Sequence, residues 1–96
     1  MANLFSLKLN NEDIIYDDKV KKTYGGQGVV RLNDKFLGKR AYVVFPMNRE
    51  DTEDGIIVDI DEILSKGIRP NNDHTSKVIF SKDYVGRKCI IVLQED

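Results

Sequence analysis

Ninety-six residues, 41% of them hydrophobic and 32% charged, are enough for one domain, residues 1–96, with a modest core. A formal net charge of −1 argues against a histone-like coat for nucleic acid, and no apolar run approaches the roughly eighteen residues of a membrane helix. There is no signal-peptide pattern, and the single cysteine, Cys89, reads as a small buried hydrophobe that cannot form an internal disulfide, so the composition favours the cytoplasm.

In chain order, Leu4–Leu9 alternates apolar and polar residues and reads as an opening strand. Asn10–Asp13 supplies turn chemistry, and Ile14–Tyr16 reads as a second strand interrupted by Asp17 and Asp18. Lys19–Tyr24 is basic and extended. Gly25-Gly26-Gln27-Gly28 lacks the Lys-Ser/Thr ending and the following helix of a phosphate loop, which leaves a hairpin loop or a glycine-lined contact with a partner. Val29–Leu32 is a strand, Asn33–Lys35 a turn or a single helical turn capped by Asn33, and Phe36-Leu37 dips back to the core before Gly38. Ala41–Phe45 leaves as a strand that Pro46 ends. Met47–Gly55 reads as an acidic loop without the spacing of a calcium site. Gly55–Val58 reads as a strand, Ile60–Lys66 as one short helix capped by Asp59 or Asp61 and stopped by Gly67, and Arg69–Asp73 as loop. The core expected from this pattern comprises Leu32, Phe36, Leu37, Val43, Phe80, Tyr84, Val85 and Ile91.

Val30–Phe45 recurs, altered, as Val78–Leu93. A shift of 48 residues lays Val30 on Val78, Gly38 on Gly86 and Val44 on Val92, with Phe36 on Tyr84 and Lys39-Arg40 on Arg87-Lys88. The expected fold class is therefore mainly β with one short helix, a β-rich α+β domain built on two strand–corner–strand repeats in units of about 19–45 and 74–93. Two ordinary β-turn-β units of similar composition would look alike at this level.

Charge is distributed unevenly. Residues 1–18 carry −3, 19–40 carry +6, 41–63 carry −6, 64–88 carry +4 and 89–96 carry −2. Both basic blocks overlap the repeated unit, the kind of asymmetry an electrostatic footprint leaves. Catalytic constellations are poor. His74 is the only histidine, and Ser76 and Ser81 have no third partner for a triad, so an enzyme, a metal site and a cofactor site are not expected.

Lys19-Val20-Lys21-Lys22, Gly25–Gly28, Val29–Leu32, Asn33–Lys35, Phe36-Leu37, Gly38-Lys39-Arg40 and Tyr42–Phe45 together resemble a family of short archaeal transposon-encoded proteins. More distantly they are similar to the AbrB/SpoVT swapped-hairpin superfamily. That family usually has proline where Asn33 and Ser81 stand, and an Asn-Ser turn where Gly25–Gly28 stands. The resemblance implies a DNA-binding scaffold of two interlocked β-hairpins, here as a homodimer or an internal pseudo-dimer.

The resulting expectation is a small protein that binds duplex DNA and regulates transcription. Lys21, Lys22, Arg31, Lys39, Arg40, Lys77, Lys82, Arg87 and Lys88 would contact phosphates, with Arg31 and Lys77 the groove candidates. The alternative is a protein-interaction or oligomerisation module without nucleic acid. RNA is less favoured, because stacking aromatics are not evident.

Overall fold

The computed structural model describes residues 6–72 and 74–94, and among them the chain is mainly β, in two antiparallel sheets. The nine strands among the described residues are β1 (Ser6–Asn10), β2 (Ile14–Lys19), β3 (Lys21–Lys22), β4 (Gly28–Asn33), β5 (Arg40–Asp51), β6 (Gly55–Gly67), β7 (Arg69–Asn72), β8 (Thr75–Phe80) and β9 (Lys88–Leu93). A five-stranded sheet has the order β1-β6-β5-β9-β2, and a four-stranded sheet the order β3-β4-β8-β7. Helical structure among the described residues is confined to single 3-10 turns at Asn11–Asp13, Asp34–Phe36 and Lys82–Tyr84. No helix among the described residues is long and apolar enough to cross a membrane.

The main core fills the space between the sheets. Val30, Leu32, Val78 and Phe80 project from the four-stranded sheet onto Ala41, Val43, Phe45, Cys89 and Ile91 of the other, with Val20 and Ile68 closing the ends. Successive residues of a strand point to opposite faces, so Val44 and Ile90 lie on the far side of the five-stranded sheet. There they form a second core with Leu9, Ile56 and Val58. The sheet is curled around this second core. Its two edge strands, β1 and β2, are joined only by the turn at Asn11–Asp13. Arg49 of β5 reaches Asp17 of β2 with Nη1 2.8 Å and Nη2 3.0 Å from the two carboxylate oxygens, tying the curled arm down.

The repeat is real in three dimensions and larger than its most legible stretch. In both copies a strand runs into a 3-10 turn, then a glycine with positive φ (Gly38 at 82°, Gly86 at 87°), then a second strand. β4 pairs with β8 so that Val30 faces Val78, and β5 pairs with β9 so that Val43 faces Ile91. Each of these pairs joins two residues 48 apart, so one pseudo-twofold axis passes through both sheets. Backbone bonds obey it. Ile68 N donates to Lys39 O at 2.8 Å as Val20 N donates to Arg87 O at 2.9 Å, and Gly38 N to Ile68 O matches Gly86 N to Val20 O. The related units extend to residues 14–45 and 62–93, with β2 matching the end of β6 and β3 matching the start of β7.

Several expectations from the sequence are corrected. Ile60–Lys66 is the second half of β6, paired with Ala41–Pro46 of β5. Seven residues are too few for helix propensity to outweigh such pairing. Pro46 does not end β5. It sits where the register with β6 shifts, a bulge that accommodates its missing N–H, and the strand continues to Asp51, so only residues 52–54 remain of the acidic loop. Asp17 and Asp18 stay in β2, which as an edge strand tolerates charge. Arg69–Asn72 is an edge strand, with Pro70 at an edge position. Asp73 and Leu4-Phe5 of the expected opening strand lie outside the described residues. Leu37 is 47% exposed because the corner turns it away from the core, and Phe36, Tyr84 and Val85 are half-buried. Leu32, Val43, Phe80 and Ile91 are buried as expected.

Candidate nucleic-acid interface

The two sheets differ sharply in charge. Strands of the five-stranded sheet carry six basic and seven acidic residues. Strands of the four-stranded sheet carry five basic residues, Lys21, Lys22, Arg31, Arg69 and Lys77, and no acid. With Val30, Leu32, Val78 and Phe80 turned inward, alternation turns Val29, Arg31, Lys77 and Ile79 outward.

Register then assembles a row. Arg31 of β4 faces Lys77 of β8, and Lys77 faces Arg69 of β7. Directly opposed residues share a face, with side chains about 5 Å apart at their roots. Three like charges so placed destabilise a sheet unless something outside neutralises them. Among the described residues none of the three makes an ion pair. The neighbouring row runs Lys21, Val29, Ile79. Its one cation has a counter-charge, since Lys21 Nζ lies 3.7 Å from Asp18, whose carboxyl is held below its ordinary range by the Lys19 backbone N–H and by Lys21.

The expected contact residues thus separate. Arg31, Lys77 and Lys21 come together on the outer face. Lys22 is exposed on the edge strand opposite Gly28. Lys39 and Arg40 leave the first corner, where Arg40 donates to Ser65 Oγ at 3.2 Å, and Lys82 is exposed on the second corner. Lys88 opens β9 opposite Lys19. Arg87 is occupied: its guanidinium lies 4.3 Å from the Phe45 ring centre and 5.0 Å from that of Tyr84, and pairs with Asp61 and Glu62 at 3.2 Å each. A cation stacked and paired in this way is a structural strut.

Arg69 was missed because Arg69-Pro70-Asn71-Asn72 has loop composition. The signal was present, since carrying the 48-residue shift ten residues upstream lays Arg69 on Lys21 and buried Ile68 on buried Val20. The same extension lays the supposed helix on strand β2.

The outer face offers cations without stacking aromatics. Tyr24, fully exposed, stands at the β3–β4 hairpin tip rather than on the face. Among the described residues no group of three or more His, Cys, Asp or Glu side chains could hold a metal ion. Burial raises the Cys89 thiol to about 12, away from nucleophilic chemistry. No family model matches this chain, and neither a curated protein nor a solved structure matches it.

Proposed function

We propose that the protein binds duplex DNA through the outer face of the four-stranded sheet, as a small regulator acting in the cytoplasm. The observation that carries this reading is the acid-free sheet with its unneutralised row Arg31–Lys77–Arg69. Polyanionic phosphate would relieve the repulsion along that row, and a two-stranded β-ribbon such as the central β4–β8 pair fits the major groove. The absence of stacking aromatics on the face favours a duplex over single strands. The internal pseudo-twofold supports the resemblance to the swapped-hairpin superfamily, with both hairpins supplied by one chain.

Titration of a labelled duplex at two salt concentrations tests it. Each neutralised phosphate releases counterions, so log K falls with log salt by about 0.9 per contact. Replacing Arg31, Lys77 and Arg69 together by Ala flattens that slope by up to about three contacts and leaves the fold intact. Replacing Arg87 instead lowers stability, because it removes a strut. No measurable affinity at low salt would sink the reading.

A second reading, a protein-interaction or oligomerisation module, is favoured by the arm formed from β1, the end of β5 and the start of β6. The arm lies outside the pseudo-twofold, is rich in acid and leaves Met47 54% exposed. It predicts self-association or protein capture without any effect of the triple substitution on DNA.

A further inference from the structure

Resting on the duplex-binding reading, we infer that one chain reads a non-palindromic duplex, with guanine under one half of the face and a thymine methyl under the other. The pseudo-twofold axis passes through the Val30–Val78 pair. A protein whose two halves present the same side chains reads a palindrome, because each half meets an equivalent half-site. Here the axis exchanges the two outer rows: Arg31 takes the place of Ile79, Lys77 that of Val29, and Arg69 that of Lys21. The backbone is symmetric and the chemistry is not.

The difference extends beyond the rows. Asp18, which pairs with Lys21, has Lys66 as its counterpart in the repeat, and Lys66 turns its ammonium to within 5.6 Å of the Phe80 ring centre, away from the outer face. One half therefore gathers Arg31, Lys77 and Arg69 with no acid beside them. The other offers Ile79, Val29 and a Lys21 already matched by Asp18. Val29 is only 2% exposed and forms the floor, so half-buried Ile79 supplies the apolar contact.

Each half suits a different base edge. Arginine and lysine donate to guanine O6 and N7, whereas an aliphatic side chain packs on the thymine C5-methyl. Residues two apart on a strand are separated by about 6.8 Å, close to two base-pair steps, so the two rows address neighbouring but distinct positions. Orientation of the whole chain on the duplex follows from that difference.

The test is selection of the wild-type protein on a randomised duplex pool at low salt, followed by sequencing. The expected motif is non-palindromic, with guanine at one end and thymine at the other, separated by about two steps. Arg31→Ile is expected to reduce discrimination for that guanine by roughly 5- to 150-fold while thermal stability holds. Ile79→Arg puts an exposed arginine in each row and is expected to drive the motif toward a palindrome. A wild-type motif that is palindromic, or binding with no base preference, overturns this inference and leaves the duplex-binding reading standing. Absence of duplex binding overturns both.

Discussion

The two corners, Asn33–Lys39 and Ser81–Arg87, share a backbone and differ in what the side chains make of it. In the second corner Tyr84 donates its hydroxyl to Glu62 at 2.6 Å, Arg87 pairs with the same carboxylate, and Phe45, Phe80 and Tyr84 pack with ring centres 5.0 to 6.2 Å apart. In the first corner the corresponding residues are Phe36, Ile14, Lys39, Leu93 and Leu32. No hydroxyl meets a carboxylate there, and a cleft of about 700 Å³ opens between Lys8, Ile14, Asn33 and Phe36. Symmetry in this molecule is thus held by backbone hydrogen bonds and two glycines, while the side chains are free to diverge. The outer face of the four-stranded sheet diverges in the same way.

Truncations of the core separate the corners most strongly. Phe80 is fully buried within the aromatic trio, so Phe80→Ala costs roughly 3–5 kcal/mol by chemical denaturation. Phe36 is half-buried beside the cleft, and Phe36→Ala costs about 1–2 kcal/mol. Equal losses would mean that the cleft side is as tightly packed as the trio.

The glycines test the symmetric part. Gly38 and Gly86 have φ of 82° and 87°, and a Cβ on either would meet nothing within 4 Å, so only backbone strain opposes substitution. Ala at either position costs about 1–2 kcal/mol, alike for both, because the left-handed conformation penalises any Cβ. A loss at one position alone would show that the corners do not share a backbone.

What the sequence made legible divides along the same line. The glycines, the inward valines and the cationic pairs after each corner repeat with chemistry intact, so the strand–corner–strand unit could be read directly and Arg31 and Lys77 could be named as groove candidates, though not as neighbours. The second half of β6 could not, because Ile60-Asp61-Glu62-Ile63-Leu64 carries no strict alternation and becomes a strand by pairing with β5. The row of three cations depends on register between β4, β8 and β7, which propensity does not encode. Arg87 shows the converse, a basic residue whose sequence neighbourhood matches a contact site and whose charge is spent inside the fold.

A smaller asymmetry lies on the axis-related pair Ala41 and Cys89, both fully buried. Burial raises Cys89 from its ordinary 9.0 to about 12, and raises Tyr16 to about 12 from 10.0. The unfolded chain loses these protons first, so stability is complete below pH 9 and declines as pH rises toward 12. Cys89→Ala, which copies the Ala41 half, lowers stability at neutral pH slightly and removes part of the alkaline decline, leaving Tyr16's share. An unchanged decline in thermal melts across that range would assign the whole effect to tyrosine.

The smallest expected effect tests the polar lock itself. Tyr84→Phe gives the second corner the side chain of the first. The Tyr84 hydroxyl, and after it Arg87, holds the Glu62 carboxyl below its ordinary 4.5, and the same bond to Glu62 raises the Tyr84 phenol above its ordinary 10.0. Glu62's contribution is present above pH 4.5 and is lost as pH falls through its lowered folded value. Tyr84's contribution is present below pH 10.0 and is lost as pH rises through its raised value. The gap in melting temperature between wild type and Tyr84→Phe is therefore widest near neutrality and closes on both sides, since either a protonated Glu62 or an ionised Tyr84 breaks the charge-assisted bond. Arg87 still pairs with Glu62 in the variant, so its pairing leaves a residual acid dependence that wild type and variant share. A gap that stays constant from about pH 3 to neutrality would show that the hydroxyl acts by filling space alone, and the two corners would then differ in packing and not in electrostatics.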